Sequence, residues 1–501
     1  MLMCSSALYS VAASRTLECE AQRRLGITAA MLMERAGEAA WAIARQRWPN
    51  AQKILVVCGS GNNGGDGYFF ARCAQRAGCD VRVIQAMGES KTVPAQAACA
   101  AYAVTGEWLE PSAVCWHAQD LIVDALLGIG LNRPVDRSLA RLIDAINASG
   151  RPVLALDTPS GVDAETGHVA GVAVNAAVTI QFLLPHVGLY TGSGCDAAGI
   201  CLCDSLQLPN EMQNLVTPLC DVWSSAQLAE QALSARRRAS HKGDYGQVVC
   251  LGGDHGSGGA IILTALAALR VGAGLVRMAS RSAHVAAALA RAPELMPCGV
   301  DHHHEAVQAC ARASVVAIGP GLGRDAWGQA LWRAALDAQR PLVIDADALN
   351  LLAAEPHPVP AAILTPHPGE AARLLGSSAA AIQANRFAAA QSLAQQFAAV
   401  VVLKGAGTIV VAPGQRARLL CAGNPGMAVG GMGDVLTGII AGLLAQGLTP
   451  FEAASRGALI HACGGDAVAA EQGECGMSPA DVIAMARRLV NRARISCATG
   501  A

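Results

Sequence analysis

The sequence is poor in aromatic residues, at 4% of 501, and poor in charge, at 15%. Scarce aromatics argue against a platform on which nucleic-acid bases could stack. A formal net charge of −1 gives no global pull toward polyanions or membrane surfaces. Neither nucleic acid nor membrane is therefore expected as a partner. The 18 cysteines include no C-x-x-C pair and no zinc-type spacing. Several, such as Cys58 and Cys250, fall inside apolar runs, where buried free thiols are expected. No apolar stretch is clean enough to span a bilayer; residues 435–451, among the longest, carry Gly, Thr, Gln and Pro. The opening M-L-M-C-S-S-A-L-Y-S lacks the basic start and long apolar run of an export signal, so a cytoplasmic location is expected.

What is abundant is glycine, 53 residues, within a composition that is 52% hydrophobic. Continuous apolar runs alternate with helical patterns along the whole chain. The first half has K-I-L-V-V-C, V-R-V-I-Q, D-L-I-V-D and P-V-L-A-L-D. The second has G-Q-V-V-C-L-G-G, S-V-V-A-I-G-P-G, P-L-V-I-D-A-D, A-I-L-T-P-H-P and V-V-V-L-K-G. Such alternation predicts parallel sheets covered by helices on both faces. Between about residues 206 and 243 the strand signal fades, with Pro209, Pro218 and the cluster Arg236, Arg237 and Arg238. A joint is expected there, dividing residues 1–218 from residues 224–501, with the arginines on a solvated helix end.

In the first half, Gly59, Gly61 and Gly64 fit G-x-G-x-x-G after the run K-I-L-V-V-C. A dinucleotide fold also needs an acid at the end of the second strand to hold the ribose, and V-R-V-I-Q-A-M-G has none. Ligands of open parallel sheets bind beyond the carboxyl ends of the strands. Three strand ends there carry polar chemistry: Asn62, Asn63, Gly64, Gly65 and Asp66; Asp124; and Asp157. In order, G-N-N-G-G-D-G, D-A-L-L-G-I-G-L-N-R-P and D-T-P-S-G-V-D resemble the NAD(P)H-hydrate epimerase domain, with L-M-E-R-A-G near Leu32 matching its opening helix. The resemblance covers about residues 8–210. It implies a Rossmann-like three-layer α/β/α domain that interconverts the R and S forms of NADH or NADPH hydrated at C6. By resemblance, Asn62, Asn63, Gly64, Gly65 and Asp66 line the nucleotide site. So do Gly128, Ile129, Gly130, Leu131, Asn132, Arg133 and Pro134. Asp157 is the catalytic candidate and also contacts the hydrate. Potassium is implied at Asn63, Asp124 and Ser160, and one carboxylate among neutral oxygens suits a weakly charged hard cation.

In the second half the densest signal is C-A-G-N-P-G-M-A-V-G-G-M-G-D-V-L-T-G, residues 421–438. Glycines at 430, 431 and 433 let backbone approach a ligand, and the helix start that follows offers N–H groups to an anion. Asp434, at that start, could take a proton from a hydroxyl beside a phosphate, as phosphoryl transfer requires. Other walls are a glycine loop at 252–259, the I-G-P-G-L-G turn, and T-P-H-P-G-E with His367. His302, His303 and His304 are expected in a solvated loop. H-K-G-D-Y-G, T-P-H-P-G-E and N-P-G-M-A-V-G-G-M-G-D-V-L-T-G, in this order, resemble the NAD(P)H-hydrate dehydratase family. The match runs over about residues 241–494 and implies a ribokinase-like α/β domain. By resemblance, Lys404, Gly405, Ala406, Gly407, Thr408 and Gly433 contact ADP. Ala260, Gly321, His367 and Asp434 contact the hydrate, with Asp434 as base. Magnesium is expected on the nucleotide phosphates.

The two halves together imply a repair enzyme: an epimerase that supplies the S hydrate to an ADP-dependent dehydratase. The alternative is a thiazole- or hydroxymethylpyrimidine-type kinase fused to a non-catalytic Rossmann-like binding module. Small-molecule substrates and a homo-oligomer are expected.

Overall fold

The computed structural model describes residues 7–131, 133–230 and 236–491. The expectation placed on Asn132 lies outside the described residues. Contacts divide the chain into two units, Met1–Asp221 and Val222–Ala501.

In the first unit the sheet is parallel throughout. Its spatial order is Glu107–Trp108, Asp80–Gln85, Lys53–Cys58, Leu121–Ala125, Val153–Leu156, Val178–Phe182, Ile200–Asp204. Ile54, Leu55, Val56, Val57 and Cys58 are all essentially buried, as a strand covered on both faces demands. Each fully buried Leu, Ile or Val stabilises the fold by about 1.5–3 kcal/mol relative to exposure. One covering helix, Arg137–Ala148, shows how locally the elements are specified. Asp136 caps it by accepting from the N–H groups of Ser138 and Leu139, while Leu139, Leu142, Ile143 and Ile146 face the core. The strand order reverses between Lys53–Cys58 and Leu121–Ala125. That switch point opens the crevice into which the Asn62 and Asp124 loops emerge.

The strand Val178–Phe182 is absent from the sequence expectation because Thr179 and Gln181 interrupt its apolar run. Both are buried yet satisfied. Thr179 donates to the Ala198 carbonyl at 2.7 Å, and Gln181 Oε1 accepts from His186 N at 2.7 Å.

The second unit's sheet runs Met296–Gly299, Leu275–Ser280, Gln247–Leu251, Val315–Ile318, Leu342–Ile344, Ile363–Leu364, Val400–Leu403, Thr408–Val411, Ala417–Leu420. From Met296–Gly299 through Val400–Leu403 it is parallel. Thr408–Val411 and Ala417–Leu420 then pair antiparallel, which modifies the all-parallel expectation at one side. Order reverses between Gln247–Leu251 and Val315–Ile318, again at two glycine loops. Two local expectations are corrected. His302 is the N-cap of the helix His303–Cys310, so the histidines do not form a loop. Arg236 lies outside any helix; its guanidinium donates to the Gly272 carbonyl and sits 3.7 Å over the Tyr245 ring. Among the described residues no helix is long and apolar enough to cross a membrane.

Candidate active sites

The first site lies at the crevice of the first unit. Asp124 ends the strand Leu121–Ala125 and is fully buried. Its Oδ1 accepts from Ser160 Oγ at 2.6 Å and its Oδ2 from Ser160 N at 2.8 Å. Ser160 Oγ also accepts from Leu127 N at 2.8 Å. Burial raises the Asp124 pKa to about 6, and the Ser160 hydrogen bonds only partly offset it. Asn63 follows in the first turn of the helix Asn62–Arg76. Its Oδ1 and Nδ2 are both buried without a hydrogen-bond partner. A buried amide left so is costly, and a cation on Oδ1 would relieve it. One carboxylate, one hydroxyl and one orphaned amide oxygen fit potassium. Among the described residues no group of three His, Cys, Asp or Glu side chains forms a divalent-metal cage.

Asp157 follows the strand Val153–Leu156 and has φ 64°, a left-handed backbone unusual for a non-glycine residue. Asp157 Oδ2 accepts from Ile129 N at 2.8 Å. The turn holding it needs Gly128: a Cβ there would fall 2.4 Å from Asp157 Oδ2 and 3.4 Å from Asn63 Cβ. Asn63, Gly128, Ile129 and Asp157 are therefore gathered at one place. Burial, against the Ile129 hydrogen bond, raises the Asp157 pKa to about 6. Asp66, one turn after Asn63, is raised well above the usual carboxylate range by burial, then by the charges of Asp157 and Glu18. Asn62 Oδ1 accepts from Thr92 Oγ1 at 2.6 Å, which turns it toward the next helix start. Gly64 and Gly65 sit inside the helix, packed on Gly59 and Met33. Ile129 and Leu131 line a cavity of about 420 Å³ with Val11, Ala12 and Arg15. Gly130, Arg133 and Pro134 continue that loop. Glu18, on the helix Val11–Leu25, had no motif to mark it; burial and Asp157 raise its pKa.

The second site is built around the helix Met432–Ala445. Gly431 caps it at φ 93°, and Asp434 stands in its first turn. Burial, then Asp345, raises the Asp434 pKa to about 6, and Lys404 opposes them. Lys404 follows the strand Val400–Leu403, and its Nζ lies 2.9 Å from Asp345 Oδ1 and 3.7 Å from Glu370 Oε2. A Cβ on Gly433 would stand 3.3 Å from Lys404 Nζ and 3.4 Å from Asp345 Oδ2. Lys404, Gly433 and Asp434 are thus brought together. His367 joins them through Glu370: His367 Nε2 lies 3.4 Å from Glu370 Oε1. His367 also caps the helix Pro368–Leu374, with Nδ1 accepting from Gly369 N at 2.9 Å. Burial lowers its pKa, and the Glu370 carboxylate opposes that shift.

Gly405, Ala406 and Gly407 form the turn between Val400–Leu403 and Thr408–Val411, with Gly405 at φ 135°. Thr408 Oγ1 donates to the Gly405 carbonyl at 3.0 Å. Arg386, 1% exposed, underlies this turn: its Nη2 donates to the carbonyls of Leu403 at 3.3 Å and Lys404 at 3.2 Å. Gly321 and Ala260 meet at the switch point. Asp254 N donates to the Gly321 carbonyl at 2.6 Å, and a Cβ on Gly321 would touch Ala260. The helix Gly258–Arg270 that carries Ala260 packs against the Asp434 helix, with Leu263 beside Gly431.

Sequence reasoning passed over Asp345, Glu370, Thr437 and Arg386. Asp345 had a signal, since it ends P-L-V-I-D just as Asp124 and Asp157 end their strands. Arg386 had none, lying in an unremarkable helical stretch.

Comparison with known proteins follows the same division. A family model described as NAD(P)H-hydrate dehydratase matches residues 248–488, and one described as YjeF-related protein N-terminus matches residues 29–188. The bifunctional NAD(P)H-hydrate repair enzyme Nnr of Escherichia coli strain K12 is 45% identical over 479 residues, spanning 95% of this chain and 92% of that protein. The bifunctional NAD(P)H-hydrate repair enzyme of Leishmania braziliensis is 40% identical, spanning 93% of this chain and 90% of its own. Among solved structures, the ADP/ATP-dependent NAD(P)H-hydrate dehydratase from Bacillus subtilis, co-crystallised with ATP and Mg2+, is 30% identical. It matches with TM-score 0.51 over 55% of this chain and 98% of that one.

Proposed function

The chain belongs to the family of bifunctional NAD(P)H-hydrate repair enzymes, an epimerase and a dehydratase in one polypeptide, and from that premise we propose which residues carry each reaction. We place the boundary between residues 1–218 and 224–501, in a cytoplasmic homo-oligomer.

For dehydration, ADP is the phosphoryl donor. Asp434 takes the proton of the C6 hydroxyl, and the oxygen attacks the β-phosphorus, releasing AMP. Loss of phosphate from C6 with a proton from C5 then restores the ring double bond. One observation carries this reading: Asp434 stands at a glycine-led helix start with its pKa near 6, beside the Lys404 ammonium. That is a base close to working pH next to an anion cradle. Lys404, Gly405, Ala406, Gly407, Thr408 and Gly433 hold the nucleotide, while Ala260, Gly321 and His367 hold the hydrate. Magnesium would be carried mainly by the nucleotide phosphates, whose charge it neutralises.

For epimerisation, Asp157 handles the proton at the C6 hydroxyl, with Asn62, Asn63, Gly64, Gly65 and Asp66 and residues 128–134 around the hydrate. Asn63, Asp124 and Ser160 would hold potassium, which supplies fixed positive charge beside the reacting ring. The test is product analysis on hydrated NADH with ADP. NADH, AMP and phosphate are expected. A stable phosphate ester of the hydrate would instead indicate a small-molecule kinase.

A further inference from the structure

Asp345 belongs to neither the nucleotide set nor the hydrate set above, yet it is a buried charge held from two sides at the centre of the second site. It is 1% exposed at the carboxyl end of the strand Leu342–Ile344. The next residue, Ala346, has φ 47°, so the backbone here is strained to place it. Each carboxylate oxygen has its own partner. Oδ1 accepts from Lys404 Nζ at 2.9 Å, and Oδ2 accepts from Thr437 Oγ1 at 2.9 Å. Thr437 lies one turn beyond Asp434 on the same helix, so the second bond ties that helix to the sheet. Gly433, just before Asp434, leaves room for the ion pair beneath the first turn.

We propose that Asp345 is a positioning residue for the dehydratase: it clamps Lys404 and the Asp434 helix together, and so fixes where Asp434 stands and how much negative charge surrounds it. The inference rests on the reading of Asp434 as the base. Burial pushes Asp345 up, but Lys404 and the hydrogen bonds from it and from Thr437 outweigh that, so Asp345 is ionised wherever the enzyme works. Its charge, after burial, raises the Asp434 pKa, and Lys404 lowers it. The other titratable groups facing this cluster are Glu370 and His367 on the helix Pro368–Leu374, and His461 on the helix Pro450–Gln472. Glu370 shares Lys404, and burial followed by Lys404 lowers His461 to about 4. His461 is therefore neutral near pH 6, and burial moves His367 in the same direction. Removing the Asp345 charge leaves Lys404 less compensated. Both changes favour the ionised form of Asp434 and make it a weaker base.

The experiment compares the pH dependence of dehydratase kcat, at saturating ADP and hydrate, in full-length wild type, Asp345→Asn, Thr437→Val and Asp434→Asn. Asp345→Asn should lower kcat by about 10- to 100-fold through misplacement. It should also move the acid limb to lower pH by about one unit, the scale on which a neighbouring charge shifts a carboxyl. Thr437→Val, which keeps the charge but loses the tie, should lower kcat with the limb in place. An unmoved limb in Asp345→Asn would overturn the electrostatic part, and wild-type kcat in Thr437→Val would overturn the clamp. If Asp345→Asn does not fold, the Thr437→Val result decides the clamp alone. Full activity in Asp434→Asn would instead sink the reading of the base, leaving the geometry of the clamp to be tied to another group.

Discussion

The two sites use the same kind of acid in opposite settings. Asp157 and Asp434 both end up near pKa 6, mainly through burial. Asp157 hangs on a left-handed backbone with one amide donor, close to the unpartnered Asn63 amide and to the acids Asp66 and Glu18. Asp434 sits at a helix start against an ion pair, with Lys404 within reach of Gly433. One carboxylate beside a hydroxyl and a spare amide oxygen suits an alkali cation, whereas a helix start beside a lysine suits a phosphate. Desolvation thus makes a usable base at both places, and the surrounding charge decides what stands next to it.

The sharpest way to break this comparison is to remove each carboxylate alone. Asp434→Asn should lower dehydration by about 10²–10⁴, the range for a positioned base, and leave epimerisation intact. NADH regeneration at wild-type speed would remove Asp434 from the chemistry. Asp157→Asn should do the reverse. On mixed hydrates with ADP, the S form should be consumed at the normal rate. The R form should follow only at its uncatalysed interconversion, so the NADH absorbance curve turns biphasic. A single fast phase would show Asp157 to be dispensable.

A milder probe is Gly128→Ala, since the new Cβ would fall on Asp157 Oδ2. Epimerase activity should drop while the dehydratase rate is unchanged; equal loss of both would point to general unfolding. The pH profile sharpens the likeness between the sites. A base must be ionised, and a pKa of about 6 means that dehydratase kcat falls as pH drops through about 6. A limb near the ordinary carboxylate range would mean that Asp434 is better solvated than its surroundings indicate. The smallest effect expected is from separation itself. Residues 224–501 expressed alone should fold and bind ADP, because this unit has its own sheet and core. Absence of a cooperative thermal transition would reject that boundary.

Much of both sites was legible because parallel sheets deliver chemistry to strand ends. Asp124, Asp157 and Asp434 could each be picked out from an apolar run or glycine cluster beside them. The strand Val178–Phe182 was not legible, since Thr179 and Gln181 look wrong for a core until their hydrogen-bond partners are known. Arg386 was hidden for the same reason: an arginine in a helix reads as surface until three-dimensional packing places it under the Lys404 turn.

By itself, then, the sequence determined the alternating α/β pattern, the two sets of glycine loops and the carboxylates that end the strands, because these depend on local periodicity and on backbone freedom. It also placed Lys404 in a strand-end turn. Only the tertiary structure decided what each charge faces. Lys404 meets Asp345 across 59 positions of chain, and Thr437 reaches the same carboxylate across 92. Asn63 is left without a partner although amides are usually satisfied. Pairing, burial and the pKa that follows are properties of distance through space, and no local pattern encodes that distance.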